Sequence, residues 1–92
     1  MNLRICNNGN SRALPASVEA VDLTFTSRAP LAEGTEITIT DAERWLMAFV
    51  VGKPGDTGEF FVSGNVRGTW LRSSRVRRSE ALRLFREFLG VA

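Results

Sequence analysis

The 92-residue chain contains no histidine and a single cysteine, Cys6. Without histidine it lacks the commonest general base near neutral pH and the commonest metal ligand. One cysteine cannot form an intrachain disulfide or build a metal site with other cysteines, and a reducing setting suits such a composition. Between Ile5 and Asn7, Cys6 reads as a small apolar residue on a strand. Long apolar runs are also missing. The longest, Trp45 to Val51, is seven residues, against the roughly 20 a membrane helix needs. It reads instead as a strand covered on both faces, and no membrane insertion is expected. Met1-Asn2-Leu3-Arg4 has no apolar segment behind it, so no secretory signal is expected and the cytoplasm is the expected compartment. There are no internal repeats, low-complexity tracts or linkers. These absences argue against catalysis: the carboxylates Asp22, Asp41, Asp56 and Glu59 show no pairing in their spacing, and a non-enzymatic protein without metal or cofactor is expected.

What is present is enough for one small domain spanning 1–92. About 43% of the residues are apolar. Charge is unevenly placed. Up to Glu59 there are five basic and eight acidic residues; beyond it come seven arginines against Glu80 and Glu87. The net charge of +2 thus divides into about −3 and about +5.

Strand patterns fill most of the chain. Leu3 and Ile5 alternate with Arg4. Asn7 to Ser11 reads as a turn or loop. The stretch Leu23–Ile39 reads as a hairpin, with Val21, Leu23 and Phe25 on one face of a strand over Ser17–Thr26 and Ile37 and Ile39 on one face of a strand over Thr35–Thr40. The parity break between Val18 and Val21 reads as a bulge or a late strand start. Further strands are expected over Arg44–Val51, Glu59–Ser63 and Val66–Leu71, with the turn signal Lys53–Gly58 between the first two and a bulge or turn at Gly64-Asn65. From Ser79 the period changes. Leu82, Phe85, Phe88 and Leu89 form an apolar stripe that predicts an amphipathic helix over 79–90, with Ser79 as N-cap and Gly90 as the residue after its end. The expected fold is mainly β: a six-stranded antiparallel small barrel with one C-terminal helix.

Two segments carry a resemblance. VDLTF followed by SRAPLAEGTEI, and the later FVSGNVRGTW, are similar to the strand patterns of the PilZ domain family. The resemblance implies a six-stranded barrel with a C-terminal helix, in a family many of whose members bind the bacterial second messenger cyclic di-GMP. Its ligand motifs, Arg-x-x-x-Arg in an N-terminal loop and Asp/Asn-x-Ser-x-x-Gly at the next strand, are not reproduced. Arg4 is followed four residues later by Asn8, and the second motif laid on Pro15 to Ala20 matches at Ser17 alone. Arg12 and Ser17 are the residual positions. Cyclic di-GMP is therefore disfavoured. The expected function is an adaptor working by protein–protein contacts in bacterial signalling, motility or type IV pilus function.

The other candidates need no family. Arg67, Arg72, Arg75, Arg77 and Arg78 surround Trp70, a pattern suited to phosphate or nucleic acid. The plainer reading is a solvated basic segment, partly paired with carboxylates, with Trp70 in the core. A rearranged nucleotide site combining Arg12, Ser17 and these arginines is a further alternative. Trp45 reads as core or as an exposed anchor. The Leu82, Phe85, Phe88, Leu89 stripe is a candidate face for a protein partner or for a second copy; the plainer reading packs it on its own strands.

Overall fold

The computed structural model describes residues 1–7, 9–26, 31–51, 59–66 and 69–90, and at 66 and 69–74 the backbone alone. In chain order the elements are β1 (Asn2–Asn7), β2 (Asn10–Pro15), α1 (Val18–Thr26), β3 (Glu36–Asp41), β4 (Arg44–Val51), β5 (Glu59–Val66), β6 (Thr69–Arg77) and α2 (Arg78–Phe88). The fold is mainly β. Six antiparallel strands form one sheet in the order β2-β1-β3-β4-β5-β6, with two helices. The strands over Arg44–Val51 and from Glu59 stand where the sequence places them.

The expected barrel is not formed. β2 and β6 are opposite edges of an open sheet. The reason lies in the segment expected as the second strand, Ser17–Thr26, which is the helix α1. Val18, Val21 and Phe25 are spaced i, i+3, i+7, and Val21 and Phe25 are fully buried while Leu23 is 63% exposed. The parity break read as a bulge is the helical period itself. Ser17 caps the helix: its Oγ accepts from the Ala20 N–H at 3.0 Å, and its carbonyl accepts from the Val21 N–H. Thr24 turns its hydroxyl back onto the Ala20 carbonyl, satisfying a β-branched polar residue inside a helix. The Leu23–Ile39 hairpin is consequently not one: its first arm is helical and its second is β3.

The missing strand is β2, Asn10–Pro15, whose first two residues fall in the segment expected as a turn or loop. Asn7 pairs with Asn10 across residues 8 and 9, and Gly9 has φ +82°. Asn-Gly between two strand-forming runs is the sequence a tight hairpin requires. β1 then pairs with β3 on its other side, Leu3 opposite Ile39 and Ile5 opposite Ile37.

Both helices lie on one face of the sheet. Alternation along each strand sends Leu3, Ile37, Ile39, Leu46, Ala48, Val50, Phe60 and Val62 to that face, where they are buried with Val21 and Phe25 of α1 and Ala81, Phe85 and Phe88 of α2. The Phe25 ring meets Phe60 edge-on at 5.5 Å and Phe85 at 4.9 Å. α2 covers Arg78–Phe88, close to the expected 79–90, but its N-cap position is Arg77, without a side-chain cap, and Ser79 lies inside the first turn. Gly90 follows its end as expected, with φ +82° and its N–H on the Glu87 carbonyl.

β5 and β6 change register between Val62 and Gly64, so Arg72 and Ser73 oppose Ser63. The bulge expected at Gly64-Asn65 thus falls one residue earlier, with the extra residue on β6. Gly64 is needed for another reason: a Cβ there would sit 2.6 Å from the Trp45 carbonyl oxygen and 2.9 Å from Leu46 Cδ1. Backbone cannot yield as a side-chain tip can. Gly64→Ala is expected to cost about 1–3 kcal/mol in urea unfolding; an unchanged midpoint would show that β4 and β5 are free to spread.

Candidate functional site

α1 and the β1–β2 hairpin leave a groove between them, about 730 Å³ in volume. Its construction follows from the strand pattern. Ile5 and Leu14 point to the helix-bearing face, and Arg12, opposite Ile5 in register, points with them. α1 contributes Ala20, Leu23 and Thr24, and Leu31 closes the end. The walls are mainly apolar; Arg12 and Glu19 supply one charge of each sign. β2 beside the groove is a sheet edge, exposed at nearly every residue. Its outward N–H and C=O groups have no strand to bond to.

The structure brings together two of the residues singled out in the sequence, Arg12 and Ser17, both lining this groove. Ser17 is there because it caps α1. The arginines around Trp70 are elsewhere, on β6 and the start of α2, at the far edge of the sheet. Strand order thus sets Arg12, on one edge strand, apart from Arg75 and Arg77, on the other. Arg67 lies outside the described residues, as does the turn Lys53–Gly58. For Trp70 and Arg72 the backbone alone is described: Trp70 pairs with Asn65, and Arg72 lies in the bulge. Arg75 forms an ion pair with Glu59 at 2.8 Å and lies over the Phe61 ring at 5.6 Å. Arg77 is exposed and pairs in register with Glu59, and Arg78 opens α2. Pairing with carboxylates, the plainer reading, holds for Arg75.

The apolar stripe of α2 is used within the fold. Phe85 is fully buried and Phe88 5% exposed, with Leu82 and Leu89 half-buried against the same core. It is not free for a partner. Trp45 is half-buried on the sheet face away from the helices.

Sequence reasoning passed over Arg44. Its guanidinium donates to the Phe88 carbonyl at 3.0 Å and to Asp41 Oδ2 at 2.9 Å, and its carbon lies 4.2 Å from the centre of the Phe88 ring. One side chain thus satisfies a carbonyl at the end of α2, places positive charge there, and ties the helix to the β3–β4 turn. Arg44 standing three residues after Asp41 was the available signal. Arg83 similarly bridges Glu80 and Glu87 along α2.

These pairs carry the pKa shifts. Hydrogen bonding from Arg44, and secondarily from the Ala42 N–H, holds the Asp41 carboxyl below its ordinary value. Arg83 does the same to Glu80. No group of three or more potential metal ligands among His, Cys, Asp and Glu occurs among the described residues, and no helix there is long and apolar enough to cross a membrane.

The fold defines a class: a mainly β domain of two layers, one antiparallel sheet carrying two helices on a single face. Comparison with protein-family models, with curated proteins and with solved structures found no match.

A depressed carboxyl favours the folded state above its unfolded pKa and loses that contribution as pH falls through the folded value. Wild-type stability should therefore decline below about pH 4, and Asp41→Asn should flatten that decline. Urea midpoints across pH 2–6 check this; parallel curves would remove the Arg44–Asp41 bond from the account.

Proposed function

We propose that the chain is a non-enzymatic interaction module that takes an extended segment of a partner protein along β2. The observation that carries this reading is the groove beside an open strand edge, with Leu23 63% exposed at its mouth. A strand added to β2 satisfies the outward backbone groups of that edge. Every second side chain then enters a groove walled by Leu14, Ala20 and Leu23, while Arg12 and Glu19 fix its direction. Backbone pairing gives affinity to any extended chain, and the apolar alternation selects among sequences.

The resemblance to PilZ domain patterns is what supports assigning such a module to bacterial signalling, motility or type IV pilus function. Its remaining support is FVSGNVRGTW and the Leu31…Gly34-Thr35 segment, since VDLTF is helical. Cyclic di-GMP stays disfavoured. Of the two residual positions, Ser17 Oγ is engaged at the helix cap, and Arg12 is the only arginine lining the groove among the described residues. The alternative of phosphate or nucleic-acid binding through the C-terminal arginines is weakened by the engagement of Arg75 with Glu59.

Selection of a displayed random-peptide library against the folded protein tests the reading. Wild-type protein should enrich peptides with apolar residues at alternate positions. Leu23→Glu, an exposed substitution, should lower their affinity by about tenfold or more, on the order of 1.4 kcal/mol. Absence of enrichment, or equal binding by both proteins, would overturn the groove as the site. Calorimetric titration with cyclic di-GMP should give no binding heat; micromolar binding would restore the nucleotide.

A further inference from the structure

The sheet face opposite the helices has an order of its own. Strand alternation places Trp45, Met47, Phe49 and Val51 of β4 and Phe61 of β5 on it, and no described element packs over them. Phe61 is 40% exposed and the β4 residues are half-buried. A strand as apolar as β4 is expected to be covered on both faces. Here α1 and α2 cover one.

The register across this face decides what fits the other. One row of paired residues runs Glu36, Phe49, Phe61, Arg75, on β3, β4, β5 and β6 in turn. Across these four strands an acid stands on one side, a base on the other, and two phenylalanines between; past Glu36 the row continues through Cys6 of β1 and Ser11 of β2. Rotation by half a turn about an axis parallel to the strands, passing between β4 and β5, reverses that row. Phe49 then faces Phe61 of a second copy, and Glu36 faces the second copy's Arg75, twice over. The row is complementary to itself.

From this we infer that the uncovered sheet face is a two-fold interface between copies of this chain, packed sheet on sheet. The strands of the two copies would cross at about 30°, the angle that sheet twist imposes on aligned sheets. Arg75 is prepared for the contact. Glu59 at 2.8 Å and the Phe61 ring hold the guanidinium on this face, and a guanidinium has donors enough to reach Glu36 of the second copy as well. About this axis β3 to β6 face their counterparts while β1 and β2 project beyond, so four strands at roughly 4.8 Å spacing and about six residues long give a flat projection of about 400 Å². Side-chain relief raises that, but it stays below the roughly 800 Å² per partner typical of a stable interface, in the size range of transient ones. Glu36 and Glu59 are interleaved there with Arg4, Arg75 and Arg77, a mixed surface and not the uniformly basic one that nucleic acid calls for. An unrelated protein would need its own matched acid–apolar–base row, which a second copy supplies by symmetry.

Sedimentation equilibrium on the full chain tests the inference, with circular dichroism to confirm folding. Wild type should have twice the 10.2 kDa chain mass at micromolar concentration. Phe61→Asp should be a folded monomer. Glu36→Arg and Arg75→Glu, each alone, set like charges against each other at both contacts and should weaken the dimer about tenfold or more. Mixed together, the two variants regain both opposite-charge contacts and should form a heterodimer. A monomeric wild type, with or without retention of nucleic acid, would overturn the proposal. So would a dimer that survives Phe61→Asp, or charge variants that pair with themselves as well as with each other.

Discussion

Phe25 is where the layers of this protein meet. Its ring leaves α1, stands edge-on against Phe60 of β5 and packs on Phe85 of α2. It joins a helix inserted between the second and third strands to one that follows the sixth. Truncating such a fully buried aromatic removes contacts on three elements at once, a loss of about 3–5 kcal/mol in a domain whose size limits the surface it can bury. Arg44 secures the other end of the same arrangement, holding the Phe88 carbonyl and Asp41 together. α2 packs over β4, β5 and β6 with α1 beside it, and a gap is left between α1 and the β1–β2 hairpin. The groove is the consequence. α1 spends Val21 and Phe25 on the core and turns Leu23 toward the gap.

Much of this was legible in the sequence where periodicity is unambiguous. β4 has the expected bounds, β3, β5 and α2 lie within a few residues of theirs, and Gly90 ends α2 as its position suggests. The failure lies in Ser17–Thr26. Val21, Leu23 and Phe25 satisfy a period of two and Val18, Val21 and Phe25 a helical period, and nine residues of β-branched and aromatic composition do not separate them. Ser17 separates them physically. A side-chain oxygen able to accept the N–H three residues on fixes the helix start, and Pro15 has ended the preceding strand. Asn8-Gly9 was equally available and was read as a loop because its flanks, Cys6-Asn7 and Asn10-Ser11, are polar. β2 is an edge strand exposed along its length, so the hydrophobic alternation that marks a strand is weak there.

The candidate residues divide for the same reason. Arg12 and Ser17 do share a site, because the hairpin and the cap of α1 adjoin, and not because a nucleotide motif survives. The arginines looked like a cluster because they are close in sequence. The strand changes their setting: Arg75 and Arg77, two residues apart on β6, share one face, and β5 offers Glu59 to Arg75 there, while Arg78 opens α2. Charge segregated along the chain becomes charge paired across the sheet.

That pairing also explains why the apolar residues of β4 and β5 are not an error of design. On the helix-bearing face, Leu46, Ala48, Val50, Phe60 and Val62 form the core. On the other, Phe49 and Phe61 lie between Glu36 and Arg75, so the stripe is flanked by charges of opposite sign. Flanking charge keeps an apolar sheet face from stacking indiscriminately, because only one relative orientation of two such faces brings opposite charges together. A row with one acid and one base at its ends is the shortest pattern that both permits self-association and specifies its register.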